Sequence, residues 1–238
     1  MPIDYYRMES NAAAQRFNIY AGIHKAVRAF LCHTLARVAT LDIEDRQATA
    51  DAMKQLRDML DFCTDHIAHE ERFVHTAMER RQPGSADGTA DDHLHHARAV
   101  ASIREVGMAL EQGAPEDRPA AWNSLQRELA VFVGENLLHM DTEENANNAV
   151  LQACYSDQEL VALHHDILAA LTPLEMATST RWILIGSSPA EREQLMAGMR
   201  ADAPPAAFDA MLGLARDSLA PHDWNRLAAA LAPVPMAA

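Results

Sequence analysis

Several kinds of residue are scarce in this 238-residue chain, and each scarcity excludes something. Aromatic residues make up 5% of the sequence, and runs of β-branched residues with period two are absent, so a sheet has little to build its faces from. Basic residues number 20 against 34 acidic ones, a net charge of −14. Such a chain is repelled by nucleic-acid phosphates and by anionic membranes, so neither is expected as a partner. No stretch approaches 18 consecutive apolar residues, and no membrane span is expected. The opening Met1-Pro2-Ile3-Asp4-Tyr5-Tyr6-Arg7 lacks a basic segment followed by an apolar run, so no secretion signal is expected either. The cysteines, Cys32, Cys63 and Cys154, are odd in number and show no C-x-x-C spacing. They read as buried thiols in a reducing, cytoplasmic compartment. No nucleophile triad, phosphate-binding loop or basic-aromatic patch stands out, so any chemistry has to come from a bound group.

What is present is helix-forming. The hydrophobic fraction is 49%, dominated by Ala, Leu and Met. Apolar periodicity predicts helices over 11–38, 44–80, 90–112 and 119–154. The breaks fall at Gln82-Pro83-Gly84, at a loop over 85–89, and at Gly113-Ala114-Pro115; Pro119 suits a first helical turn. Four long helices with short connections imply an all-α, up-down-up-down four-helix bundle over 11–155. Residues 156–238 read as a C-terminal helical extension, with capping boxes at Ser156-x-x-Glu159 and Ser188-Pro189-x-Glu191 and ordinary apolar spacing. The extension is expected to pack on the bundle or to form a homodimer surface.

Two phrases repeat 73 positions apart: His66-x-x-x-Glu70-Glu71 and His139-x-x-x-Glu143-Glu144. On a helix, residues four apart lie one turn above each other, so each phrase presents an imidazole beside a carboxylate. Both pairs sit on apolar stripes. One stripe runs Leu56, Leu60, Cys63, His66, Glu70, Phe73, Ala77; the other runs Leu125, Leu129, Phe132, Asn136, His139, Glu143, Ala146, Val150. Buried carboxylates demand compensating positive charge, and no Lys or Arg occupies these stripes at that level. A metal pair bridged by carboxylates supplies it. Without metal, one of the two carboxylates is expected to take up a proton. His24 falls on the stripe of the first helix, after Tyr20, and His93 and His96 fall on that of the third. His93 and His96 are one turn apart and compete for one ligand position. Glu71 and Glu144 point away from the stripe and are candidates to hold the far side of a metal-binding imidazole. His69, His75, His95, His164, His165 and His222 read as surface residues.

A lone His on the first helix, His-x-x-x-Glu-Glu on the second and fourth, and Asp92-His93 opening the third together resemble the hemerythrin-like HHE cation-binding domain. The resemblance covers about residues 11–155. It implies the ligand set His24, His66, Glu70, His93, His139 and Glu143, a non-haem di-iron centre, and Glu70 and Glu143 as its bridges. Manganese or zinc suits the same donors in isolated protein. The oxygen carriers of that family place two histidines four apart on the third helix, where this chain has His93 and Ala97. They also place a His and an Asp five apart on the fourth helix, where this chain has His139 and Glu144. The members that repair iron centres carry a cysteine-bearing leader, and no cysteine stands among the first ten residues here. These departures count against reversible oxygen carriage and iron-centre repair. Six protein ligands over two metals leave open positions that suit a small diatomic, O2 or NO, so sensing, binding or iron handling is expected. The alternative is a di-iron enzyme (peroxidase, NO reductase or ferroxidase) or a repair protein.

Overall fold

The computed structural model describes residues 16–232. They form helices and no strand: the chain is all-α. Helix α1 spans Ala21–Ala39. Helix α2, Arg46–His69, runs through a π-helical segment, Glu70–His75, into α3, Thr76–Arg81. Helix α4 spans Asp87–Gln112. Helix α5, Arg118–Thr142, likewise runs through a π-helical segment, Glu143–Asn147, into α6, Asn148–Cys154. α1 packs on α2 and α5, and α4 packs on the same two, which closes a square of four helical columns. The core between them is built from Val27, Phe30, Leu31, Leu56, Leu60, Ile103, Leu125, Leu129 and Phe132, among others.

The helix ends explain where the sequence-based boundaries slip. Among the described residues the first helix starts at Ala21; the expected start at 11 lies outside them. Residues 16 and 17 are held non-helical by long-range bonds, and Asn18 Oδ1 accepts from Tyr20 N at 3.0 Å just before the helix. The Arg16 guanidinium donates to the carbonyls of Gln152 and Tyr155, both at 2.6 Å, and to Asp157 at 2.8 Å. It thereby satisfies carbonyls that the end of α6 leaves without intrahelical partners. α4 starts at Asp87, inside the expected loop. Glu79 accepts from the backbone N–H groups of Gly84 (2.7 Å) and Ala86 (2.9 Å), so the turn tightens and the helix starts early. Gly84, at φ +83°, takes a conformation that a side chain would strain. The Trp122 indole donates to Val38 O at 2.9 Å and caps the far end of α1.

The remaining helices are α7 (Asp157–Ala170), α8 (Pro173–Gly186), α9 (Pro189–Asp202), α10 (Pro205–Ser218) and α11 (Pro221–Leu231). Capping boxes open α7 at Ser156/Glu159 and α9 at Ser188/Glu191; a third, Thr172/Glu175, opens α8. α8 lies along α1. The Trp182 ring stacks on Phe30 with centroids 4.0 Å apart. Contact is close enough that a Cβ on Gly186 would stand 2.6 Å from Lys25 O. The opposite side of α8 supplies Leu184 to a second core with Leu195, Met196, Met199, Phe208 and Leu227. No helix among the described residues is long and apolar enough to cross a membrane.

The thiols divide differently from expectation. Cys63 is buried, and burial pushes it up to about 12, but Cys32 is exposed and Cys154 half-buried. Cys32 follows Leu31 on α1 and sits one residue off its apolar stripe.

Candidate metal centre

Each His-x-x-x-Glu phrase lies where an α-helix turns into a π-helical segment. Within each phrase the spacing behaves as expected. His66 Nε2 lies 3.2 Å from Glu70 Oε1, and His139 Nε2 lies 3.3 Å from Glu143 Oε2. Beyond each glutamate the helix widens, because a π segment bonds i to i+5 and inserts one residue into the turn. The apolar stripe then slips by one. Val74 and Met78 are buried after Glu70, and Asn147, Asn148 and Leu151 after Glu143, whereas Ala146 is exposed. His75, five residues after Glu70, comes round to the same face and is buried. The expectation of a surface His75 is thus corrected. His164 is also buried rather than exposed, against Phe17 on the inner side of α7. His95 and His222 are exposed, and His69 and His165 are half-buried.

The structure brings together all six residues named from the sequence. Donor atoms of His24, His66, Glu70 and Glu143 lie within 4.8 Å of one another, and so do donor atoms of Glu70, His93, His139 and Glu143. Both glutamates belong to both sets. His24 Nε2 stands 3.4 Å from Glu70 Oε1 and 3.3 Å from Glu143 Oε2. His93 Nε2 stands 3.5 Å from Glu70 Oε2 and 3.9 Å from Glu143 Oε1. The two imidazoles of the second set bring their Nε2 atoms within 3.0 Å. Glu70, Glu143, His24, His93 and His139 are buried, and His66 is 10% exposed in its side chain.

An outer ring of carboxylates orients the imidazoles. Glu144 lies 2.9 Å from His24 Nδ1 and is itself held by Arg28 at 2.7 Å. Asp92 lies 3.1 Å from His139 Nδ1. A carboxylate at Nδ1 fixes the proton there and turns the Nε2 lone pair inward, which is how metal-binding histidines are commonly supported. Glu144 was legible as a candidate for this place. Asp92 was legible only as a neighbour of His93; its bond to His139 crosses between helices, and no spacing along the chain reveals it. Glu71 approaches His93 Nδ1 to 3.4 Å but is half exposed and makes no hydrogen bond to it.

The electrostatics of the cluster bear on the expectation that one of its carboxylates takes up a proton. Both central carboxylates are held down rather than pushed up. Burial disfavours charge on both, and on Glu143 the nearby Glu70 adds to that. Even so, His66 and His24 hold Glu70 well below the usual carboxylate range, and His139 and His24 hold Glu143 below it. The group that is pushed up is His24 instead. Burial opposes its charge, but Glu143, Glu144 and Glu70 lift it to about 10. His66, buried beside charged His24, is depressed to about 4. Glu144 is held down to about 2, against burial, by His24 and Arg28.

These residues fit a metal centre. Glu70 Oε2 and both oxygens of Glu143 are buried and accept no hydrogen bond, although buried polar atoms are ordinarily paired. A cation between them answers that demand, and its binding would displace the proton on His24. The donors are imidazole and carboxylate without thiolate, a set that suits iron, manganese or zinc and not copper(I) or iron–sulfur clusters.

An all-α bundle with two overlapping His/Glu donor sets in its core defines a metal-binding bundle protein. The model of the hemerythrin HHE cation-binding domain matches residues 17–149, more than half of the chain, and the chain belongs to that family. Neither the comparison with curated proteins nor that with solved structures returns a match.

His96 is buried but stands outside both donor sets. Its ring packs edge-on against His139 (5.0 Å) and Phe132 (5.9 Å), and burial depresses it to about 4. His93→Ala is therefore expected to remove one metal per chain, and His96→Ala none, as read by metal analysis of the loaded variants. The reverse pattern would move the ligand to His96.

Proposed function

We propose that this chain is a non-haem di-iron protein. His24 and His66 hold one iron, His93 and His139 hold the other, and Glu70 and Glu143 are shared between them. The observation that carries this reading is the membership of both buried glutamates in both donor sets. One cation cannot satisfy donors spread over two clusters, whereas two cations sharing carboxylates can. Iron, when bound there, supplies open coordination positions and a change of oxidation state. The chain's own residues supply the rest. Glu144 and Asp92 set the imidazoles, the packed core excludes water, and the carboxylates neutralise charge.

Four neutral imidazoles and two carboxylates form a less anionic set than one rich in carboxylates. Such a set stabilises the highest oxidation states less, which supports binding, sensing or iron handling with O2 or NO as the small ligand. We assign this role to the bundle up to about residue 155, with the helices from 156 onward as an appended unit.

The test is anaerobic loading with Fe(II) followed by addition of NO or O2, monitored optically. Saturable binding in fixed proportion to iron is expected. Sustained consumption of NO or of H2O2 over many equivalents would replace this reading with an enzymatic one.

A further inference from the structure

The outward face of α5 carries a stripe that the described residues leave open. Arg127, Val131, Gly134, Leu138 and Asp141 recur at steps of four and three, on the side of the helix away from its buried Leu125, Leu129, Phe132 and Asn136. Val131 is 60% and Leu138 72% exposed, and Leu94 on neighbouring α4 is 57% exposed. Exposed apolar side chains grouped in this way mark contact surfaces, whereas scattered ones need no account. Gly134 stands at the centre of the stripe. Glycine inside a 25-residue helix weakens it relative to alanine, yet a Cβ on Gly134 would meet nothing within 4 Å. Packing within the chain does not call for this glycine, unlike Gly107, where a Cβ would stand 3.1 Å from the Leu56 side chain. The charges at the two ends are unanswered as well. Arg127 and Asp141 make no ion pair among the described residues, and Asp141 accepts only from Asn145 of its own helical column. The acidic residues that flank the stripe are instead turned toward α4. Glu128 accepts from Ser102 at 2.7 Å, and Glu135 lies 3.2 Å from His95 Nε2.

We propose that this stripe of α5 docks on the same stripe of a second copy of the chain, with the two helices antiparallel about a two-fold axis at Gly134. Arg127 and Asp141 lie on opposite sides of Gly134, seven residues from it in each direction. An axis there sets Arg127 of each copy opposite Asp141 of the other, and Leu138 of each beside Val131 of the other. Gly134 meets Gly134, where the missing side chains let the two backbones approach. Within one helix, residues 127 and 141 are about 21 Å apart at 1.5 Å per residue, so these charges can pair only between copies. The order basic, apolar, small, apolar, acidic is complementary to its own reverse. Self-complementarity of this kind is what a two-fold contact between identical chains requires, and it selects a second copy as the occupant. The contact lies away from the C-terminal helices, which pack on the bundle through α1 and α8. It stands independently of the metal that the cluster holds.

The experiment is sedimentation velocity of the full-length, metal-loaded protein over a range of concentrations, with reductant present so that exposed Cys32 cannot link copies. A reversible dimer is expected. Val131→Glu places a carboxylate in the seam, and Gly134→Leu holds the backbones apart. Both should raise the Kd of the dimer by roughly tenfold or more. Both should leave helicity and metal content unchanged, because neither position is closely packed within the chain. The charges give a sharper test. Arg127→Asp and Asp141→Arg should each weaken the dimer several-fold, and the double variant Arg127→Asp/Asp141→Arg should restore it. Overall charge cannot produce that pattern. The chain carries −14, so Asp141→Arg lessens the repulsion between copies and on that ground alone would tighten the dimer. A wild-type chain that stays monomeric at every concentration would overturn the proposal, whatever else covers the stripe. A dimer indifferent to both Val131→Glu and Gly134→Leu would also overturn it, because the contact would then lie on another face. Failure of the double charge variant to recover would overturn the antiparallel register.

Discussion

Replacing either shared carboxylate, Glu70→Ala or Glu143→Ala, is expected to lose both metals rather than one. Each glutamate contributes to both donor sets, so its removal takes a ligand from each cation and the counter-charge from both. Loss of a supporting residue beyond the ligands commonly weakens metal binding by about 10–100-fold, and loss of a shared ligand should exceed that. His24→Ala should instead weaken the first set far more than the second, because His24 belongs only to the first. Metal analysis after dialysis against a weak chelator distinguishes the cases. Glu70→Ala retaining two metals at the wild-type affinity would show that Glu70 is not shared.

Removing the metals is expected to lower the melting temperature substantially. Metal binds the folded state, and a free concentration a thousandfold above Kd adds about 4 kcal/mol to stability. For a chain of this size each kcal/mol moves Tm by roughly 2–4 °C, so a drop of roughly 10 °C is expected on chelation. The metal-free fold should survive, because charged His24 compensates Glu70 and Glu143 in the cluster and the apolar core is unaffected. That compensation also carries a pH dependence with a definite sign. His24 is raised in the folded state, so its contribution is complete below the unfolded value near 6.5 and is lost as pH rises toward about 10. The metal-free protein should therefore lose stability on the alkaline side, where the loaded protein should not. A Tm unchanged by complete chelation would contradict a metal-centred core.

The cluster was legible in the sequence for a reason that does not extend past it. His66, Glu70, His139 and Glu143 interrupt apolar stripes that hold helical period, and polar residues at core positions need an explanation. His24 and His93 were legible on the same ground. One residue beyond each glutamate the α period fails, since the π segments at Glu70–His75 and Glu143–Asn147 insert a residue that no propensity announces. That is why His75 read as a surface residue and Ala146 as a buried one. The start of α1 was illegible because Arg16 is held by carbonyls more than 130 positions away. The third capping box, at Thr172, matches the same short pattern as the other two and was open to the same reading. The packing of α8 on α1 was not, because Trp182 meets Phe30 only in three dimensions.

The most direct measurement is the metal content of the full-length protein after anaerobic loading with Fe(II) and removal of unbound metal. Two irons per chain are expected, with absorption in the near ultraviolet developing on exposure to air. One iron per chain, or a protein that excludes iron and retains only zinc, would contradict a di-iron centre shared by Glu70 and Glu143.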